Sequence, residues 1–584
     1  MSKRPRRASI LFFVIVAIAT AGMAFSTWKT WPDAMYDFGS QLYYPWQMNA
    51  GKHLYVDIAY FNGPLSQYFN AAMFRIFGVS LRTLVWVNLF IVLIVQVLIY
   101  RIMHRLAGQL TATCGCVVFA LIFAFSQYVG IANYNWMCPY THEVTHGVAL
   151  SLAMIAALFA FIESGRRGPL VLAGGLCGLV FLTKAEVFVP AATAVFGGMI
   201  LWARGAGITR LWSALIWFML PAIAVVMIAL FLLGFSSGWP VAVRGIEGSW
   251  PWIFNRQIAS LQFYRQGLGI DDPAGNLWKM LVIGIASGAI VAGIVAAGLF
   301  PKRYRNFGLA IVVIEAIALL FLRPWTMQIA RPWPVFVGLI AAVSIFRAWK
   351  SGTLDRLRWI LRSIFAVFAL ALLGKMLLNA RIWQYGFALA VPAAMVLIDA
   401  LLGWIPAEIT ARGGDGSRAR LASVLFLSAL VFCIMANQLH QNGQPVGSNA
   451  DQFVPGGRGD EVVDAVARVN QLLPPAGTLA VMPQGLMLNY LSRRVDPISA
   501  VNLMPPEVLS VGEDAVVAEL NSHPPDLIVL SEKDIRDRAF VLTEGNYLYG
   551  GKIVDWVLAH YVCILPPSPS SELKLSYWRK KSAG

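Results

Sequence analysis

The sequence predicts a polytopic α-helical membrane protein of about thirteen transmembrane helices, followed by a small C-terminal extracytoplasmic α/β domain. Three observations carry that prediction. Of 584 residues, 58% are hydrophobic and 13% charged, with a mean hydropathy of +0.64, far from the balance of a soluble globular chain. The apolar residues recur in runs of roughly 17 to 23, long enough to cross a bilayer. Lys and Arg cluster between those runs, so the net charge of +16 reads as membrane topology and no nucleic-acid partner is expected.

At the N-terminus, "MSKRPRR" precedes "ASILFFVIVAIATAGMAFSTW". That run is longer than the apolar core of a signal peptide, and predicts an uncleaved first helix whose basic end stays in the cytoplasm. Candidate spans lie near 9–27, 83–100, 109–127, 147–163, 169–183, 187–203, 212–234, 280–300, 307–322, 334–347, 359–377, 386–404 and 421–438. The inward connections are then short and basic, from Arg101 and Arg105 through Arg166 and Arg167 to Arg418 and Arg420, as the positive-inside rule requires. The outward connections are richer in aromatic and polar residues: 28–82, "GIANYNWMCPYTHEVTHG" (129–147), 235–279, "RPWTMQIARPW" (323–333) and "NARIWQYG" (379–386). Expected localisation is the bacterial inner membrane, multi-pass.

The division is 1–440 for the membrane domain, with its first outer loop at 28–82, and 441–584 for the soluble domain. Past residue 441 the composition turns to Asp, Glu, Asn and Pro with no span. "DEVVDAVARVNQLL" has helical periodicity, "GTLAVMPQG" and "PDLIVLS" read as short buried strands, and "GLMLNYLSRR" as a helix. No nucleotide-binding glycine pattern is present in "AVMPQG". The six Cys are scattered and predict neither disulfides nor a zinc site.

The opening loop carries the most specific signal. "YDFGSQLYYPWQMNAGKHLYVDIAYFNGPL" (36–65) is polar, dense in Tyr and Trp, and contains Asp37 and Asp57. After it, "PLSQYFNAAMFRIFG" places Leu65, Phe69, Met73, Ile76 and Phe77 at helical spacing, which predicts a helix lying along the membrane surface. An acid just after the first span, then "NAGKHLYVD", then a Gly-terminated helix before the second span, resembles the opening loop of GT-C membrane glycosyltransferases. The likeness is to the branch of protein O-mannosyltransferases and lipid A aminoarabinose transferases. It rests on residues 33–88, with echoes in "GLVFLTKAEVFVP" and "QYGFALAVP".

That resemblance implies a polyprenyl-phosphate-linked sugar as donor, an extracytoplasmic site, and a first-loop acid as catalytic base, with inversion at C1. The partners it implies are the lipid-linked donor, membrane lipids, and a glycan, lipid or protein acceptor. Asp37 matches the family's acidic position; Asp33, after Pro32, is the alternative. Asp57 either orients the acceptor or holds the loop through backbone bonds. Tyr36, Tyr43, Tyr44, Trp46, Tyr55 and Tyr60 suit stacking on sugars, and suit a membrane interface equally.

"PYTHEVTHG" meets the HExxH pattern with His142, Glu143 and His146. Three readings stay open: a metalloprotease, a divalent cation held at His142 or a role in acceptor positioning, and ordinary interfacial hydrogen bonding. Glu143 is the natural second acid. That divalent cation is the one cofactor the motif suggests, and the sequence does not establish a requirement for it. A leaving phosphate needs fixed positive charge, for which Lys184, Arg256, Arg331 and Arg381 are the outer-loop candidates. Two other classes compete: a secondary transporter, with Glu315 and Asp399 as its ionisable span residues, and a non-catalytic envelope-assembly subunit.

Overall fold

The computed structural model describes residues 6–130, 133–321, 326–456, 458–531 and 550–581. Lys3 and Arg4 of the basic N-terminus, Ile131 and Ala132 of the second outer loop, and 323–325 of "RPWTMQIARPW" lie outside those residues. The chain opens with α1 (Arg6–Ser26), then α2 (Asp37–Asn49) and α3 (Leu65–Phe77) in the opening stretch. There follow α4 (Leu81–Ala107), α5 (Gln109–Val118, prolonged by a π-helical turn over Phe119–Ala124), α6 (His142–Ser164), α7 (Arg167–Phe181), α8 (Ala185–Ala206) and α9 (Ile208–Ser237). Later long helices run over Pro273–Leu299, Arg305–Phe321, Trp333–Lys350, Thr353–Leu373 and Gly416–Met435.

Among the described residues, nine helices are long and apolar enough to cross a membrane, and four shorter apolar ones accompany them. Their outer surfaces explain that composition. The most apolar window of α9 is only 11% buried, with Trp212, Leu220, Ile228 and Leu232 exposed; such a stripe is stable only against lipid. Inside the bundle, α7 packs on α6 and α9. Gly174 and Gly178, four residues apart, let α7 approach α9 backbone to backbone: a Cβ at Gly178 would stand 2.5 Å from the Ala222 carbonyl oxygen. Small residues at this spacing are how membrane helices gain van der Waals contact without a hydrophobic drive.

The opening stretch is more ordered than a watery loop. Residues 31–36 are buried throughout, and α2, which the sequence reading left as loop, buries most of its residues. Its polar, Pro45-containing sequence hides the helix because it is covered from two sides and so lacks an apolar stripe. At Gly39 it crosses the helix Leu486–Ser492 so closely that a Cβ would overlap the Met487 backbone. The membrane-surface helix expected from "PLSQYFNAAMFRIFG" forms as α3, with an inside-out pattern. Ser66, Gln67 and Asn70 are buried, while Phe69, Ile76 and Phe77 are exposed. The outer connection 235–279 likewise folds into short helices, including Trp239–Glu247 and Gln262–Leu268.

The C-terminal part holds a four-stranded sheet in the order β1 (Leu479–Met482), β2 (Leu527–Ser531), β4 (Leu575–Lys580), β3 (Tyr561–Leu565). β1 pairs in parallel with β2, Leu479 opposite Leu527, and the other pairings are antiparallel. β1 and β2 are buried along their whole length, as continuous apolar runs require. This unit sits on the opening stretch. Asp496 N donates to Tyr43 Oη at 2.9 Å, Ala59 N to the Ser499 carbonyl at 2.9 Å, and Leu81 N to Asp451 Oδ1 at 2.7 Å. Tyr43, Tyr44, Leu54, Ile58, Leu486 and Val501 form one apolar cluster across the junction.

Two carboxyls at this junction, Asp496 buried and Glu507 half-buried, make stability pH-dependent. Burial raises Asp496 from 3.8 to about 7, against Ile498 N–H and Lys52, and raises Glu507 from 4.5 to about 8, against its own backbone N–H and Lys184. Between those limits the folded chain keeps protons that the unfolded chain has released, so stability falls as pH rises. A pH series of thermal unfolding should show that decline across the window, and Asp496→Asn with Glu507→Gln should flatten it. A midpoint that climbs from pH 5 to pH 8 and is unchanged by the pair would reject neutral carboxyls here.

Candidate active site

The site is assembled where the opening stretch, the second loop and the starts of α6 and α8 meet. Asp37 is the first residue of α2, where the helix dipole favours a carboxylate. Its Oδ2 accepts the Asn133 backbone N–H at 3.1 Å. Asn133 is itself fixed: its Oδ1 accepts from Asp33 N at 2.9 Å and its Nδ2 donates to the Trp31 carbonyl at 2.7 Å. The second loop is thereby locked to the first, with Asp37 between them.

Asp33, the alternative base, has another task. Its buried Oδ2 accepts from Tyr36 N at 2.7 Å and Met35 N at 3.1 Å, turning the chain into α2. Burial raises its carboxyl to about 6 against these bonds and the field of Arg458. Asp57 does not join the site: it is exposed, and its Oδ2 accepts from His53 N at 2.6 Å to close a local turn.

Glu143, fully buried in the first turn of α6, accepts from Tyr60 Oη, from Thr141 Oγ1, and from Gln67 Nε2 at 3.1 Å. Both oxygens are committed, and they tie the α2–α3 loop and α3 to the start of α6. His142 Nδ1 lies 2.8 Å from Gln41 Oε1 and 3.1 Å from Asn70 Nδ2, and Nε2 lies 3.0 Å from Asn88 Nδ2. His146 Nδ1 bonds Ser66 Oγ at 3.1 Å. His142 is enclosed by amides, and of the three readings of HEVTH this geometry favours a buried polar scaffold, the buried face of α3 supplying Ser66, Gln67 and Asn70. Among the described residues, no group of three or more His, Cys, Asp and Glu is placed to hold a metal.

The basic candidates separate into two groups and a remainder. Lys184 Nζ lies 3.4 Å from Glu186 Oε1, and Lys375 Nζ lies 2.5 Å from Glu186 Oε2. Lys375 also caps the Tyr385 ring at 3.8 Å, and Lys184 stands 5.8 Å over Tyr140. The Tyr140 and Tyr385 rings touch edge to face at 5.6 Å, and both hydroxyls feel the charges of Asp37 and Glu186. Asp37, Glu186 and the lysine pair thus stand around one pair of tyrosines. Beside them, Phe263, Asp271, Arg381, Gln384 and Tyr385 line a cleft of about 240 Å³. Desolvation, then the nearby Arg331, pulls the Arg381 guanidinium down to about 10. Arg331 is buried and held by Asn276 Oδ1 at 2.9 Å and Gln328 Oε1 at 2.5 Å. Arg256 is exposed on a short helix (Arg256–Ser260), apart from both groups.

Sequence reasoning passed over Lys375, Tyr140, Tyr385 and Asn133. An ionisable residue at the end of a span, as in "LLGKMLL", was the available signal for Lys375. Nothing local marks the others.

No protein-family model matches the chain, and no curated protein matches it. Among solved structures it is similar to the apo oligosaccharyltransferase of Archaeoglobus fulgidus, at 12% identity and a TM-score of 0.49 over 98% of this chain and 74% of that one. It is also similar to ArnT from Cupriavidus metallidurans, in the apo state at 13% identity, TM-score 0.44 and 98% of each chain. With undecaprenyl phosphate bound to that protein, the values are 12%, 0.43 and 99% of each.

Proposed function

We propose that this chain is an integral-membrane glycosyltransferase, moving a sugar from a polyprenyl-phosphate donor to a hydroxyl acceptor on the extracytoplasmic side with inversion. One observation carries the reading: a fixed carboxylate, Asp37, and a half-buried lysine pair, Lys184 and Lys375, stand around the ring pair of Tyr140 and Tyr385, next to the Arg381 cleft, at the loop end of an apolar helix bundle. Nucleotide sugars stay in the cytoplasm, so transfer outside draws on a lipid-carried sugar.

Asp37 takes the acceptor hydroxyl proton as that oxygen attacks C1. The C1–O bond to phosphate breaks on the opposite face, through an oxocarbenium-like transition state. The departing phosphate carries the electron pair, and Lys184 and Lys375 with Arg381 at the cleft meet its charge. Tyr134, Tyr140 and Tyr385, in mutual ring contact, offer faces for the sugar. The exposed apolar face of α3 lies in the lipid beside the donor chain. The 441–584 unit is read as an extracytoplasmic domain covering this site.

Proteoliposomes containing the purified chain and radiolabelled polyprenyl-phosphate mannose, glucose or arabinose, mixed with extracted envelope lipid and glycan acceptors, test this. Label moving from the donor to an acceptor with inverted C1 is the expected result. Uptake of free substrate into the vesicles with no lipid-linked sugar present would instead make the chain a transporter.

A further inference from the structure

The Lys184 side of the site also meets residues that do not come from the bundle. On the C-terminal unit, Asn502 Nδ2 donates to Glu507 Oε1 at 3.1 Å. Glu507 stands within electrostatic reach of Lys184 and of the Tyr44 hydroxyl, and Asn502 lies against that same hydroxyl. The outer atoms of the pair, Glu507 Oε2 and Asn502 Oδ1, are buried and have no hydrogen-bond partner among the described residues. Tyr140 Oη, under Lys184, is in the same condition. Buried polar atoms are nearly always paired in folded proteins. Glu507 Oε2 and Asn502 Oδ1, unpaired on two side chains that are hydrogen-bonded to each other, therefore mark a place suited to a polar ligand.

We infer that Glu507 and Asn502 form a hydroxyl-binding wall that takes two neighbouring hydroxyls of the donor's sugar ring, so that the C-terminal unit selects the sugar while the bundle holds the phosphate. The chemistry favours a diol over an anion. Carboxyl Oε2–H offers a donor and amide Oδ1 an acceptor, side by side and held in register by the 3.1 Å bond; vicinal hydroxyls present the complementary acceptor and donor. A phosphate could use the O–H but would be repelled by the amide oxygen beside it, which only a hydroxyl can satisfy. Burial holds the Glu507 carboxyl up to about 8, against the pull of Lys184, which keeps the proton on at neutral pH.

This rests on the glycosyltransferase reading, and the test separates the two. Binding of undecaprenyl phosphate alone, and of undecaprenyl phosphate bearing mannose, glucose or arabinose, is measured by native mass spectrometry on the full chain in detergent. The quantity read is the ratio of sugar-bearing to bare affinity, which cancels any general loss of folded protein. In the unaltered chain one sugar should raise affinity about tenfold or more, and Glu507→Ala and Asn502→Ala should each erase most of that ratio. Glu507→Gln, which keeps a donor at the outer position, should retain the larger part. A ratio that survives both alanine variants, or a ratio of one for every sugar in the unaltered chain, overturns the wall and leaves the lipid-phosphate reading standing. Failure of the unaltered chain to bind even bare undecaprenyl phosphate overturns both.

Discussion

Asp37→Asn should lower sugar transfer by about 10²- to 10⁴-fold, the usual share of a positioned general base, with the fold intact. The amide keeps the shape of the carboxyl, so its oxygen still accepts the Asn133 N–H that Oδ2 now receives at 3.1 Å. What it loses is the capacity to take a proton. The measurement is initial rate of transfer from labelled polyprenyl-phosphate sugar, beside a thermal unfolding midpoint that moves by no more than about 2 °C. The matched variant is Asp33→Asn, whose carboxylate holds Met35 and Tyr36 N–H groups; it should reduce stability before it touches chemistry. The opposite pattern, with Asp33→Asn inactive and folded while Asp37→Asn turns over normally, reassigns the base.

Glu186→Gln should be the most destabilising single change in the site, and the one that a donor lipid repairs. The carboxylate lies between Lys184 at 3.4 Å and Lys375 at 2.5 Å, and all three side chains are less than one-fifth exposed. Removing its charge leaves two ammonium groups facing each other out of water, at a cost of about 3–5 kcal/mol. If the departing phosphate docks on those lysines, undecaprenyl phosphate supplies the missing negative charge. Ligand that binds the folded state raises its stability by mass action, so the lipid should lift the unfolding midpoint of Glu186→Gln further than that of the unaltered chain. An equal or smaller lift would place the phosphate elsewhere, with the Arg381 cleft the next position to examine.

The same residues show which parts of the molecule could be read without coordinates. Hydropathy finds the apolar helices because lipid demands long apolar runs and leaves little room for ambiguity. The helix after "NGP" could be placed, and so could the strands "LAVM" and "LIVLS", since both signals are periodic and local. The helix beginning at Asp37 escaped. It is covered by the bundle on one side and by Leu486–Ser492 on the other, which removes the one-sided pattern that sequence reading depends on. HEVTH left several roles open: its spacing suits a metal as well as hydrogen bonding, and only the fold shows Gln41, Asn70 and Asn88 meeting His142 with amides from three other segments.

What the sequence determined by itself is a basic, multi-span chain with an acid-bearing, aromatic opening stretch and a mixed α/β tail, because composition and periodicity are properties of single segments. Only the tertiary structure decided which charges meet. Lys375 reaches Glu186 across 189 positions, Asn133 N–H reaches Asp37 across 96, and Asp496 N–H reaches Tyr43 across 453. It also sorted the acids, leaving Asp57 on a surface turn, Asp33 in the turn that leads into α2 and Asp37 bonded to the second loop. A carboxylate's task is set by burial and by the donors around it, and those arrive from distant parts of the chain.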